Sequence, residues 1–510
     1  MDGLRSAFIV PAVIAIFGSA CAVGPDYHRP KLQLPDSFSG AQSSTARADA
    51  SGARPVDPAT WWRSLGDPDL DSLVDRAIRD NPDLQIALDR LQEARTREVV
   101  VLGGALPQIN ASAGGGIGTG NNQIRGRVDY PLRDAANTRG LNHLDAAAGF
   151  DATWELDVFG KYRREIEASH DDALAEAEAR NAVLVTVVAD LVRAYVDMRG
   201  FQIQLTVAQR AVDTAQKTVA FVQARYQGGF TNELDLALAQ REMATLHARL
   251  SPLGAQVSAA QDTIAVLLGR YPEDLKHELE AVRELPSIPP QVQAGLPLDL
   301  VKRRPDVREA ERRLAAATAR IGVATADLFP HLVATGAIGL QTPGASGGSS
   351  TIWSAGPLAF WNFLDFGALD ALVDIADLRA REELIAYRAA VITAVSQVDA
   401  AVSEYGAQRD RLDDLEAALT ASHQAVDLAS QRYERGVTDF LNVLDAERQE
   451  YQLEDQYALA QASTADAFVA LYKALGGGWE GYQKIPPIRR PRPAVVAAFA
   501  RLFSSDDPQK

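Results

Sequence analysis

Two hydrophobic periods share this chain. Val212, Ala215, Val219, Val222 and Tyr226 lie alternately three and four positions apart, and so do Leu250, Leu253, Val257, Ala260 and Ile264. A seven-residue period keeps an apolar seam against a partner helix and imposes a left-handed supercoil. Ordinary bundle packing gives the same spacing, and these Ala- and Val-rich seams suit close helix approach. No Pro occurs between Leu132 and Ser251 or between Leu358 and Ile485. A helix over 161–226 would be about 100 Å long at 1.5 Å per residue. One rod or two end to end both fit, with Gly200 and Gly406 as the positions for a break. Pro252 lies in the second seam and is expected to kink or break its helix.

The second period is two. From Phe150 to Val158, Phe150, Ala152, Trp154, Leu156 and Val158 fall on one face and Asp151, Thr153, Glu155 and Asp157 on the other. This pattern predicts a strand, and its acidic face suits a barrel with lipid outside and water inside. The stretches 107–117, 330–340 and 355–365 have similar lengths and weaker alternation. About nine to eleven residues span a membrane as a tilted strand. A soluble sheet covered by helices is the competing reading. Four strands cannot close a transmembrane barrel, and an open edge in lipid is costly. Two chains would supply eight strands and three would supply twelve. Eight-stranded barrels fill with their own side chains, so a water-filled conduit favours three.

Both periods occur twice. Trp154 matches Trp361, Phe159–Gly160 matches Phe366–Gly367, and "RYQGGFTNELD" at Arg225 matches "RYERGVTDFLN" at Arg432, all 207 positions apart. The seams recur as Leu419, Ser422, Val426, Ala429 and Tyr433, then Tyr457, Ala460, Thr464, Ala467 and Leu471. Upstream the offset is 223, pairing Asn81 with Arg304 and Pro107 with Pro330. Sixteen extra residues therefore enter the first copy between about 118 and 147, in a Gly- and Asn-rich segment suited to a surface loop.

Composition removes several function classes. The net charge of −16 argues against a nucleic-acid partner. Seven His show no metal-ligand spacing with Cys or carboxylate partners, and a lone Cys excludes an intrachain disulfide. Mean hydropathy is −0.12 and no run of eighteen apolar residues follows the N-terminus, which argues against a helical membrane protein. "GGGIG" at Gly114 lies in a strand pattern with no helix after it, so it is not a phosphate cradle. No nucleophile elbow or phosphate loop is present, so neither an enzyme nor a cofactor is expected. Residues 1–20 read as an export signal, ending at Cys21. Cys21 is the expected acylated first mature residue, although Gly18 stands where such signals usually carry Leu.

The chain resembles the TolC-like outer-membrane efflux proteins, in their lipoprotein subgroup that serves resistance-nodulation-division pumps (the NodT type). The resemblance runs through "CAVGPDYHRP" from Cys21, "WWRSLGDPDLDSLVDRAIRDNPDL" from Trp61, "WELDVFGKYRR" from Trp154, the stretch from Gly295 to Pro330, and both "RY" turns. It implies a mainly α fold with a small β part. Three chains would share a twelve-strand barrel in the outer membrane and a long helical barrel in the periplasm. The expected segments are 1–20 (signal), 21–66 (lipidated start and equatorial part), 67–270 (repeat 1), 271–297 (equatorial linker), 298–476 (repeat 2) and 477–510 (extension). The implied function is the passive exit duct of a tripartite efflux pump, with a duct for type I protein secretion as the alternative. The implied partners are two further copies, outer-membrane lipid, a periplasmic adaptor and an inner-membrane pump. A periplasmic adaptor itself would carry one hairpin flanked by β-domains, not two copies.

The repeated turns are then the tips of two helical hairpins, where the adaptor and pump would dock. Gly229 and Gly436 are expected to supply left-handed or close-approach backbone, and Thr231 and Thr438 to cap the next helices. Asn442, Asp445 and Arg448 are spaced three apart, on one helix face beside the second tip. A solvated face with an Asp445–Arg448 pair accounts for them as surface chemistry. The resemblance implies instead that Asp445 forms a cation-binding constriction, that Asn442 leaves a second ring uncharged, that Arg448 ties a neighbouring helix and that Tyr433 hydrogen-bonds across the tip. Leu238 takes the place of Asp445 in the first copy.

Overall fold

The structure, a computed structural model, describes residues 22–31, 56–118, 143–289, 303–342 and 349–482. Cys21, the signal, most of the loop insertion, and 483–510 lie outside the described residues.

Among the described residues, eight long helices and four strands carry the architecture. Helices α1 (Pro68–Asp80) and α2 (Pro82–Gly104) precede strands β1 (Gln108–Gly118) and β2 (His143–Leu156), and α3 (Lys161–Gln227), α4 (Glu233–His247) and α5 (Leu250–Leu267) complete the first copy. The second copy runs through α6 (Pro305–Ala326), β3 (His331–Thr342), β4 (Ser350–Phe360), α7 (Ala368–Glu434) and α8 (Phe440–Ala474). Local chemistry sets several boundaries. Asp67 accepts from the N–H groups of Asp69 and Leu70 at 2.9 and 3.3 Å, and Pro68 follows as the first helical residue. Asn81 caps α2 in the same way through Leu84 N, 3.0 Å.

α3 and α7 are single rods of 67 residues each, displaced by 207 positions at both ends. Neither Gly200 nor Gly406 interrupts them. A helical Gly costs about 1 kcal/mol relative to Ala, too little to end a ladder packed on both sides. Gly200 also has a packing role, since a Cβ there would lie 2.9 Å from Ala462 Cβ on α8.

The second hairpin arms differ between copies. α8 is one helix of 35 residues, whereas its counterpart divides into α4 and α5 at residues 248 and 249. Pro252 explains this break. It has no N–H to offer the Ala248 carbonyl four residues back, so the ladder ends there and Pro252 sits in the first turn of α5.

Short helices join end to end into further rods. Asn81 Nδ2 donates to Leu267 O at 2.8 Å, which seats α2 on the end of α5. Arg304 Nη1 donates to Ala474 O at 2.8 Å, which seats α6 on the end of α8. The donors are repeat partners at offset 223 and the acceptors at 207. The same two offsets relate Trp154 Nε1 to Ala105 O, 3.1 Å, with Trp361 Nε1 to Leu328 O, 2.9 Å.

The strands form one antiparallel sheet in the order β1-β2-β3-β4. Register places Ala111, Phe150, Ile338 and Trp353 in one row. Phe150, Ile338 and Trp353 are all more than half exposed. The opposite face holds Asn110 bonded to Asp151 at 3.0 Å, and Thr335 to Gly356 O at 3.1 Å. β4 corrects one expectation, ending at Phe360 rather than continuing to 365. Its last partner is His331, and Pro330 before it offers no N–H to extend the ladder.

The main core lies midway along the rods. Trp61 and Trp62 are buried, Trp61 stacked on Tyr472 at 5.4 Å. Buried Arg199 donates to Ala281 O at 2.6 Å and to the Tyr195 hydroxyl at 3.0 Å, and that hydroxyl donates to Asp67 at 2.6 Å. The described parts of the segments before α1 and after α5 thus wrap the helices at their middle.

Candidate gate at the hairpin tips

Both tips end their long helix in the same way. Gly229 has φ +73° and Gly436 φ +72°. Phe230 N donates to Arg225 O at 2.9 Å and Gly229 N to Tyr226 O at 3.0 Å; Val437 N to Arg432 O and Gly436 N to Tyr433 O repeat the pair at 2.9 Å each. These are Schellman closures, which need a left-handed residue at the position each Gly holds.

Thr231 and Thr438 are not the caps. Asn232 and Asp439, one residue later, have the extended backbone of the N-cap, and Asn232 accepts from Asp235 N at 3.0 Å. Each Thr instead bonds the side chain four residues on. Thr231 donates to Asp235, whereas Thr438 accepts from Asn442 Nδ2 at 2.7 Å. Asp235 and Asn442 are repeat partners, so the acid–amide exchange reverses the direction of one shared bond. Asn442 thereby stiffens the tip.

Among the described residues, Tyr433 forms no hydrogen bond across the tip. Its hydroxyl is buried without a partner, and the Arg225 guanidinium lies 4.9 Å over its ring, with Phe440 beside it at 5.7 Å. The ring lies inside the apolar cluster between hairpins, which holds it by packing and cation–π attraction. Its repeat partner Tyr226 is 41% exposed.

Arg448 ties α8 to a neighbouring helix. Its Nη2 lies 2.5 Å from Glu242 Oε2 on α4, and this bond raises its affinity for its proton. The Asp445–Arg448 surface pair does not form. Asp445 stays exposed with no ion pair among the described residues, while Leu238 packs into the tip cluster. A cleft of about 210 Å³ opens beside Arg448, lined by Arg210, Thr218, Glu242, Glu447, Glu450 and Glu454. Burial raises the Glu447 pKa, opposed by its bond from Thr218 at 3.2 Å. Glu450 meets His423 of α7 at 2.5 Å. Glu242, Arg225 and Glu447 escaped the sequence reading because their partners come from the other copy.

The opposite end of α3 holds the segment from Ala22 to Asp26. Val23 N donates to Phe159 O at 3.1 Å, and a Cβ on Gly160 would lie 2.6 Å from Ala22 Cα. Arg164 bonds Val23 O at 3.2 Å and Asp26 at 2.6 Å. Phe159, at this strand-to-helix junction, stacks on Phe329 at 4.6 Å.

Comparison with known proteins matches residues 73–270 and 296–477 to the family model described as outer membrane efflux protein. Nodulation protein T of Rhizobium leguminosarum bv. viciae is 30% identical, over 99% of this chain and all of its own. The pyoverdine export outer membrane protein OpmQ of Pseudomonas putida is 32% identical, over 86% of this chain and 92% of its own. The solved outer-membrane channel OprN superposes with a TM-score of 0.79 at 34% identity, covering 91% of this chain and all of that one.

Proposed function

Because the chain belongs to the outer membrane efflux protein family, we propose that three copies of it assemble into one duct through which a tripartite pump discharges small molecules. The chain is an outer-membrane channel extending into the periplasm, not an enzyme, and it works with an adaptor and an inner-membrane pump. One observation carries the duct reading. An exposed apolar row crosses four strands, and these strands continue into rods about 100 Å long. The relative named for pyoverdine export favours efflux over protein secretion.

Quasi-symmetry supports the trimer. β2 of repeat 1 pairs with β3 of repeat 2 inside the chain, which leaves β4 and β1 as edges. The same joint, repeated between chains, pairs β4 of one copy with β1 of the next. Phe159 stacks on Phe329, but its counterpart Phe366 is 92% exposed, as is the Phe329 counterpart Leu106 at 56%. A second copy would bring these two together. The rods agree. α3 carries Asp171 and Glu178, paired with Arg312 and Arg308 of α6 at 3.2 and 2.5 Å. α7 carries exposed Leu378 and Ile385 in their places. An eighteen-residue window of α7 has a mean hydropathy of 1.2 and is only 28% buried within one chain. Three chains and not two leave a water-filled lumen.

Membrane anchoring and gating complete the reading. Ala22 lies at the strand-to-helix junction, and acyl chains carried by Cys21 would add a lipid anchor in the outer membrane. At the far end, three Asp445 carboxylates would face the axis as a cation-binding constriction. The Arg448–Glu242 tie would hold α8 inward until adaptor and pump offer its groups other partners. Gly229, Thr231, Gly436 and Thr438 would form the six docking tips. The test is complementation. In a host without its own channel but with the cognate adaptor and pump, this chain should lower the accumulation of a fluorescent pump substrate. Unchanged accumulation, with the protein present in the outer membrane, would contradict the efflux reading.

A further inference from the structure

α3 and α8 lie antiparallel along a seam whose register is set by four contacts. Lys473 meets Asp190 at 2.8 Å, Gly200 meets Ala462, Gln204 meets Asp455 at 3.3 Å, and Thr218 meets Glu447 at 3.2 Å. One heptad from the Asp190–Lys473 ion pair, at equivalent positions on both helices, the seam sets Asp197 opposite Asp466. The two carboxyls face each other closely enough for the Asp197 charge to act on Asp466. Asp466 Oδ1 is buried and has no donor. Two carboxylates offer only acceptors, so a bond between them needs a proton on one of the pair.

We propose that Asp197 and Asp466 share one proton across the α3–α8 seam, forming a clasp that holds α8 against α3 while the proton is present and repels when it leaves. Burial, then the Asp197 charge, push Asp466 up to about 7, with Arg193 opposing. Among the described residues, Asp197 and Arg193 of α3 are the ionised groups acting on it. α7, on the other side of α8, presents Tyr405 to Phe468 and the Gln408 carbonyl to Thr464. Gly200 passes Ala462 closely less than one heptad away, which holds the two helices together beside the pair. The periplasm follows external pH, and α8 also carries Arg448, so the clasp can couple the firmness of that helix to acidity. The clasp itself does not depend on the efflux reading.

The sign follows from linkage. Above the ordinary Asp value the unfolded chain has lost the proton that the folded pair keeps, so folded stability falls as pH rises towards about 7 and then levels. The test uses the full chain in detergent. Thermal unfolding of the wild type is followed from about pH 5 to about pH 8, beside Asp466→Asn, Asp197→Asn and the double variant. Asn supplies the missing donor without titrating. Each single variant should flatten the fall in Tm, and the double should flatten it no further, because one proton is shared. Infrared spectra should show a protonated-carboxyl band at neutral pH that each single variant removes. A Tm slope and band unchanged in both single variants would overturn the proposal, as would additive effects in the double.

Discussion

Arg448 of α8 meets Glu242 of α4 with 2.5 Å between Nη2 and Oε2, which ties the start of the last helix of repeat 2 to repeat 1. The two residues are 206 positions apart, and Arg448 is half-buried while Glu242 is more deeply enclosed. The tie therefore spans the two hairpins that must separate if the periplasmic end is to widen.

Loss of this tie should favour an open tip. A partly exposed ion pair contributes up to about 1 kcal/mol, which shifts a closed–open equilibrium about fivefold. Arg448→Ala and Glu242→Gln should each raise the mean single-channel conductance in planar bilayers. The double variant should match either single, since both remove the same contact. Adding Tyr433→Ala should open the tip further by emptying the cluster around Phe440 and Arg225, and large antibiotics should then pass.

Asp445 is exposed and forms no ion pair among the described residues. The proposed ring of three such carboxylates would bind multivalent cations. Asp445→Ala should weaken block by these cations added from the periplasmic side, leaving block from the other side unchanged. Equal block in wild type and variant would place the constriction elsewhere.

Much of this was legible before any coordinates. The offset of 207 foretold a matching long helical region in each copy, though not that each is a single rod, and Gly229 and Gly436 marked the turns where left-handed backbone occurs. What escaped had physical reasons. Thr231 and Thr438 carry good capping chemistry, but the extended backbone that a cap requires begins one residue later. The end of β4 depends on where its partner strand stops, which alternation within β4 does not encode. Offset arithmetic pairs Arg448 with Arg241, so nothing in the repeat pointed to Glu242. Tyr433 and Tyr226 are the same residue in the same motif, yet one is buried and the other is exposed, because only one faces the opposite hairpin.

Cys21 should carry acyl chains. A palmitate analogue should label the wild type and not Cys21→Ser. Because the strands also hold the protein in the membrane, the variant should stay in the outer-membrane fraction. Equal labelling of both would remove the lipid anchor from the account.

The two mid-rod glycines should respond in opposite directions. Among the described residues, a Cβ on Gly406 meets nothing within 4 Å, so Gly406→Ala should stabilise by about 0.5–1 kcal/mol through helix propensity and raise Tm. At Gly200 the added carbon would meet Ala462 Cβ at 2.9 Å, so Gly200→Leu should force α3 and α8 apart and lower Tm. A rise in both would show that the α3–α8 seam has slack.

Shared construction from three copies is the central claim, and cross-linking between the two unsatisfied repeat partners tests it most directly. In a Cys21→Ser background the chain has no other thiol, so Leu106→Cys and Phe366→Cys can be joined by a short bis-maleimide in intact outer membranes. The account predicts covalent species of two and three chains and none larger, with single-cysteine variants remaining monomeric. A ladder that stops at two chains, continues past three or fails to form would contradict it.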